Sequence, residues 1–137
     1  MIKFFLPIVP PTITDQTHRI GKRKNNTGFF VYDSPELKTA RSKLTAHLAG
    51  RAPDTPITGA VQLVVKWCFP VTGGHKDSEW KTSKPDTDNL QKMLKDCMTT
   101  VGFWKDDAQV ASEVVQKFWA DVPGIFVSVE SLGCDCP

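Results

Sequence analysis

No apolar run in this chain approaches the roughly 20 residues a helix needs to cross a bilayer, so no membrane span is expected. The opening residues 1–7 carry one lysine and a short apolar run, with no small-residue cleavage site. They read as a first strand rather than a signal peptide, and an intracellular, cytoplasmic location is the expectation. Internal repeats, low-complexity tracts and linkers are also lacking, which leaves one domain of 137 residues, long enough for a hydrophobic core. Cysteine is sparse, with four in all. Cys68 lies in a strand pattern and Cys97 on the apolar side of a helix pattern, so both are expected as small buried hydrophobes. Cys134 and Cys136 form a C-x-C without the ligand number or spacing of a zinc site. A large charge excess is missing too: the net charge of +2 does not by itself indicate nucleic-acid binding.

The distribution of charge says more. His18, Arg19, Lys22, Arg23 and Lys24 gather just before Asn25-Asn26-Thr27-Gly28, whereas no lysine or arginine follows Ala120. A basic, glycine-containing loop suits phosphate contact, and an ordinary solvated loop accounts for it equally well.

Along the chain, Ile2–Leu6 is β-compatible, and Pro7, Pro10 and Pro11 end regular structure. Residues 12–28 read as a long loop and 29–32 as a short strand. Ser34-Pro35-Glu36 is a helix start: the serine caps, the proline takes the first position and the glutamate meets the positive helix end. Leu37, Ala40, Leu44 and Leu48 then recur at helical spacing until Gly50. Residues 60–69 are the clearest strand, with Val61, Leu63, Val65, Trp67 and Phe69 alternating with the other face. Residues 70–85 are expected as a mobile polar loop. Residues 110–119 and 125–130 read as strands, and Pro123-Gly124 between them suggests an antiparallel hairpin. The fold class expected is α+β: a single small domain over 1–132, with a mixed sheet, a C-terminal antiparallel hairpin and two main helices, then a frayed tail over 133–137.

The stretch Lys84-Pro85-Asp86-Thr87-Asp88-Asn89 carries the most chemistry, with Lys92 one turn on and Asp106-Asp107 after it. Residues 88–101 have a sharp helical period: Leu90, Met93, Leu94, Cys97, Met98 and Val101 share one side, Asp88, Lys92 and Lys95 the other. Capping by Asp86 or Asp88 accounts for one aspartate at a helix start. It leaves the second, Lys92 and the later acidic pair unexplained. After Gly102 the chain reverses, and that turn is expected to return Asp106 or Asp107 toward the helix start. An acidic pair in a solvated turn is the competing reading. Converging carboxylates repel unless a cation offsets them, and Mg2+ takes one or two carboxylates with waters and phosphate oxygens. The cluster therefore points to metal-assisted phosphodiester chemistry, with Lys92 as a charge donor to the phosphate or leaving oxygen.

The runs Lys84-Pro85-Asp86-Thr87-Asp88-Asn89-Leu90-Gln91-Lys92 and Gly102-Phe103-Trp104-Lys105-Asp106-Asp107-Ala108-Gln109-Val110 resemble the RusA family of Holliday junction resolvases. The family pattern is D-x-D-N-(L)-x-K, a helix, then D-D-(A/x)-Q-(V/I) at similar spacing. The resemblance implies that Asp86, Asp88 and Asp107 bind Mg2+ (with Mn2+ able to substitute), Asp106 being the less certain member of its pair, and that Lys92 is the catalytic lysine. It implies that Asn89 and Gln109 orient carboxylates or phosphate. It also implies a homodimer that makes paired cuts in four-way DNA junctions, with Arg19, Lys22, Arg23, Lys24, Lys84, Asn89 and Lys95 as the expected DNA contacts. Such enzymes are widespread in phages and prophages. The chain departs from the family after Pro10-Pro11, where Thr12-Ile13-Thr14 stands in place of the frequent asparagine. Trp67, Trp104 and Trp119 are core candidates. Trp80, beside Lys76, Lys81 and Lys84, either packs on the protein body or stacks on an unpaired base. Alternative readings are a broader flap or fork nuclease, a cleavage-deficient junction-binding protein, and a soluble domain whose acidic cluster is structural.

Overall fold

The computed structural model describes residues 1–13, 18–22 and 29–133, with side chains described outside 18–22 and 29–33. The expected first helix forms as α1 (Pro35–Ala49). Ser34 is extended, and its hydroxyl accepts the Leu37 N–H at 3.1 Å, satisfying a helix-end donor that has no partner within the helix. Leu37, Leu44 and Leu48 form its buried stripe. The second helix, α2 (Thr87–Val101), buries Leu90, Met93, Leu94, Cys97 and Met98. It stops at Gly102, whose φ of 94° is left-handed and whose N–H reaches the Met98 and Thr99 carbonyls. Phe103 and Trp104 then enter the core, and the Trp104 indole N–H donates to Thr99 Oγ1 at 2.7 Å.

The main sheet contains β1 (Ile2–Leu6), β4 (Val61–Pro70), β5 (Val110–Ala120) and β6 (Gly124–Ser131), in the order β1-β6-β4-β5. β4 runs antiparallel to β6 and parallel to β5, so the sheet is mixed. The C-terminal hairpin expected from Pro123-Gly124 does not form: β5 and β6 flank β4 and do not pair with each other. Adjacent strands lie about 4.8 Å apart. Residues 121–123, at about 3.4 Å each, are long enough to pass over one intervening strand. The parallel β4–β5 pair is closed through α2, as parallel neighbours require a crossover.

The buried side of β4 is the expected one, Val61, Leu63, Val65, Trp67 and Phe69, and with Ile125, Val127 and Val129 of β6 it meets both helices in one core. Gly124 lies under Phe5; a Cβ there would land in the phenyl ring and against the Leu6 carbonyl. Among the described residues no helix is long and apolar enough to cross a membrane.

Two further expectations change. Residues 18–22, read as part of a loop, are β2 (His18–Lys22), paired antiparallel with β3 (Phe29–Asp33) in a separate two-stranded sheet. Residues 70–85 are tied along the outer edge of β5. Ser78 N–H donates to the Trp119 carbonyl at 2.8 Å, Trp119 N–H to Glu79 at 2.8 Å, and Lys81 N–H to Lys117 at 3.1 Å. The exposed backbone of an edge strand supplies partners that no side-chain pattern announces. Cys97 is buried as expected, whereas Cys68 is only half-buried because it lies on the sheet face opposite the helices; partial burial still pushes its thiol pKa up. Cys134 and Cys136, and the tail expectation for 134–137, lie outside the described residues.

Candidate active site

A cleft of about 280 Å³ opens between the first turns of α2, the short 3-10 turn Asp107–Gln109 and the start of β5. Asp88, Gln91, Lys92 and Lys95 line it from α2, Asp107 from the turn, and Glu113 and Val115 from β5. The expected return of the acidic turn toward the helix start is therefore present.

Asp106 and Asp107 divide their work. Asp106 caps the 3-10 turn: its Oδ1 accepts the Ala108 N–H at 2.9 Å. Gln109 Oε1 accepts the Asp106 and Lys105 N–H groups at 3.2 and 3.1 Å, completing a capping box. The Gln109 amide donates to the carbonyls of Ile57 and Gly59 at 2.9 and 3.0 Å. Gln109 thus anchors the turn that carries Asp107, where the sequence suggested direct orientation of a carboxylate or phosphate. Asp107 is left free of the cap and borders the cleft.

At the start of α2, Asp86 holds the N-cap position with φ −74° and ψ 150°, yet its carboxylate makes no capping hydrogen bond. It accepts from Lys84 Nζ at 3.0 Å instead. The Lys84–Pro85 peptide before it is cis. Asp88 Oδ1 accepts the neighbouring Asn89 N–H at 3.0 Å. Asn89 is buried, away from the open cleft. Lys92 is exposed on the cleft rim, and among the described residues it forms no salt bridge.

Gln91, Glu113 and Lys117 were not singled out by the sequence. Gln91 is almost fully buried; its Oε1 accepts the Trp67 indole N–H at 2.7 Å and its amide donates to Glu113 at 2.6 Å. Glu113 also accepts from Lys95 at 3.1 Å. A polar chain thus runs from the core indole to the cleft floor. Its signal was available: Gln91 is three residues past Asp88, and Glu113, Val115, Lys117 and Trp119 alternate on one face of β5. Lys117 Nζ donates to the carbonyls of Ser83 and Pro85, both at 2.7 Å. Burial holds its pKa below the ordinary lysine value; the Asp86 charge opposes that and the Lys84 charge adds to it. Lys81 is buried over the Trp119 ring, 4.2 Å from its centre, and donates to Ser83 Oγ at 2.6 Å; burial, then the Lys117 charge, lower its pKa as well.

Among the described residues no three His, Cys, Asp or Glu side chains are gathered closely enough to hold a metal ion as they stand. The cleft does bring the carboxylates of Asp88, Asp107 and Glu113 to its lining. Oxygen donors of this kind suit a hard divalent cation, which needs only one or two carboxylates when waters complete its shell. Asp86 stays outside the lining with its Lys84 partner. Of the expected DNA contacts, Lys84 is exposed and Lys95 borders the cleft. Arg19 and Lys22 lie on β2, where only backbone is described, and Arg23 and Lys24 are outside the described residues. Trp67, Trp104 and Trp119 are buried as expected. Trp80 packs on Phe118 with ring centres 4.5 Å apart and remains 60% exposed.

Residues 9–130 match the family described as endodeoxyribonuclease RusA. The crossover junction endodeoxyribonuclease rusA of Lactococcus phage r1t is 53% identical over 32 residues, covering 23% of this chain and 24% of that protein. The uncharacterized protein YqaN of Bacillus subtilis (strain 168) is 33% identical over 91 residues, covering 58% of this chain and 63% of that protein. The chain therefore spans less than two thirds of the length of these curated relatives.

Proposed function

The chain belongs to the RusA family of endodeoxyribonucleases, and on that premise we propose that it is a Mg2+-dependent, structure-selective endodeoxyribonuclease that resolves four-way DNA junctions as a homodimer. The observation that carries this reading is the shared cleft: Asp88 and Asp107, 19 positions apart in the sequence, line it together with Lys92 and Lys95. A capped structural helix has no use for a second carboxylate and a lysine that makes no salt bridge among the described residues.

Asp86, Asp88 and Asp107 are the residues that would hold Mg2+ or Mn2+, and the ion would supply an oriented water and offset charge on the scissile phosphate. To hold the ion, Asp86 would have to give up Lys84, an exposed pair of a kind worth about 0–1 kcal/mol. Lys92 offsets charge developing on the phosphate or the leaving oxygen. Lys95, steadied by Glu113, and Lys84 meet neighbouring phosphates of the DNA. Two symmetric incisions need two equivalent sites, and a two-fold dimer provides them.

The test is a synthetic four-way junction incubated with the protein, with and without Mg2+, beside linear duplex and flap substrates and the Asp88→Asn variant. Paired Mg2+-dependent nicks confined to the junction and absent in the variant are expected. Equal cutting of flaps would make the enzyme a general branched-DNA nuclease. Binding without cleavage, on junctions with fixed and mobile cores alike, would reduce it to a binding protein.

A further inference from the structure

We propose that Lys117 is the positioning residue for Asp86, acting as an ammonium strap that fixes the main chain on the loop side of that carboxylate. The inference rests on the reading of Asp86 as a site residue. Lys117 lies opposite Trp67 in the β4–β5 register, on the helix-covered face of the sheet. A lysine on that face loses hydration, and its partners must replace the lost hydrogen bonds. Those partners are two main-chain carbonyls, Ser83 and Pro85, each at 2.7 Å. Two of the three ammonium donors are thereby committed to two of the three residues that precede Asp86. Lys81 holds the same loop by a second route, through Ser83 Oγ at 2.6 Å.

Asp86 is in turn fixed from the helix side, where its carbonyl accepts the Leu90 N–H at 3.1 Å. Its main chain is thus held on both sides, while its carboxylate makes no cap bond and, among the described residues, pairs with the exposed Lys84. The backbone is firmly placed and the acid group is left available. Lys117 accomplishes this without pairing to the carboxylate, so its charge is spent on carbonyls rather than on phosphate.

Lys117→Met and Lys117→Arg, compared with wild type, test the strap by two independent readouts. The first is Mn2+ affinity of the DNA-free protein. Removing a positive charge near Asp86 would by itself tighten cation binding, so a merely electrostatic role for Lys117 predicts a gain. A positioning role predicts a loss of about tenfold or more in Lys117→Met, typical of groups that orient metal ligands. Lys117→Arg, which keeps donors for both carbonyls, should recover most of it. The second readout is hydrogen exchange of the Leu90 amide, whose acceptor is the Asp86 carbonyl; it should accelerate in Lys117→Met and return toward wild type in Lys117→Arg. Unchanged or tighter Mn2+ binding, or an unaltered Leu90 amide, overturns the proposal. A wild-type protein that binds no Mn2+ without DNA would remove the metal readout, the nuclease reading being decided by junction cleavage, and Leu90 exchange alone would then decide the strap. Should Lys117→Met not fold, Lys117→Gln takes its place, because its shorter amide cannot span both carbonyls.

Discussion

The adjacent aspartates 106 and 107 show how one residue step separates a structural role from a chemical one. Asp106, extended at φ −146° and ψ 132°, turns its carboxylate back onto the Ala108 amide, and Asp107 borders the cleft. Asp106→Ala should therefore cost about 0.5–2 kcal/mol of stability, read by denaturant melts. Asp106→Asn should keep the cap and most of the cleavage rate. Asp107→Asn should melt like wild type and cut no junction, while junction binding holds or tightens as repulsion from phosphate is relieved. Wild-type cleavage by Asp107→Asn would remove it from the chemistry, and an Asp106→Ala protein of unchanged stability would remove the cap. Lys92→Ala should slow single-turnover cleavage about 100-fold, the scale of removing one transition-state donor, with junction affinity nearly unchanged. A matching drop in affinity would make Lys92 a backbone contact only. The residue pattern alone left Asp106 and Asp107 open, and only the family resemblance put Asp107 first, because their division depends on backbone angles that the pattern does not show.

At the scale of the element, α2 was fully legible and its partners were not. The 3.6-residue period located its buried stripe, and Gly102 marked its end, since both signals are local to the chain. Gln91 breaks the simple pattern: a buried polar side chain within an apolar helix face, tolerated because both ends of its amide are satisfied by Trp67 and Glu113. Those partners lie on β4 and β5, so the sequence of α2 alone contains no sign of them. Gln91→Leu should leave the buried Trp67 indole N–H without an acceptor and cost about 1–3 kcal/mol. It should also release Glu113 from one of its two donors. Equilibrium unfolding of Gln91→Leu beside Glu113→Gln would show the coupling as non-additivity in the double variant. Strictly additive losses would mean the polar chain is two independent contacts. The two C-terminal strands form where expected, but their pairing as a hairpin fails for a related reason: a Pro-Gly connection suits a hairpin, but the choice of neighbour is made by β4, whose apolar face competes for the centre of the sheet.

For the whole molecule, the α+β class, the mixed sheet and the meeting of two distant acidic segments all follow from the residues, while the strand at 18–22 and its pairing with β3 do not. A net charge of +2 conceals an uneven distribution, because Arg19, Lys22, Arg23 and Lys24 fall within six positions. Arg19 and Lys22 sit on a strand of the small two-stranded sheet, which gives at least part of that basic segment a fixed backbone instead of the loop the sequence suggested. Binding to DNA by such a segment is dominated by release of condensed counterions, so its signature is the dependence of affinity on salt. Each phosphate that is no longer neutralised should reduce the slope of log K against log salt by about 0.9. Replacing all four residues with glutamine should therefore weaken junction binding at low salt and flatten the slope by up to about 3.6. The effect on linear duplex should be similar, since phosphates carry no junction information. Asp88→Asn, which alters the cleft and leaves this segment intact, should keep the wild-type slope. If the four-fold variant also keeps it, the basic segment is a solvated surface, and the phosphate contacts of the complex belong to the lysines around the cleft.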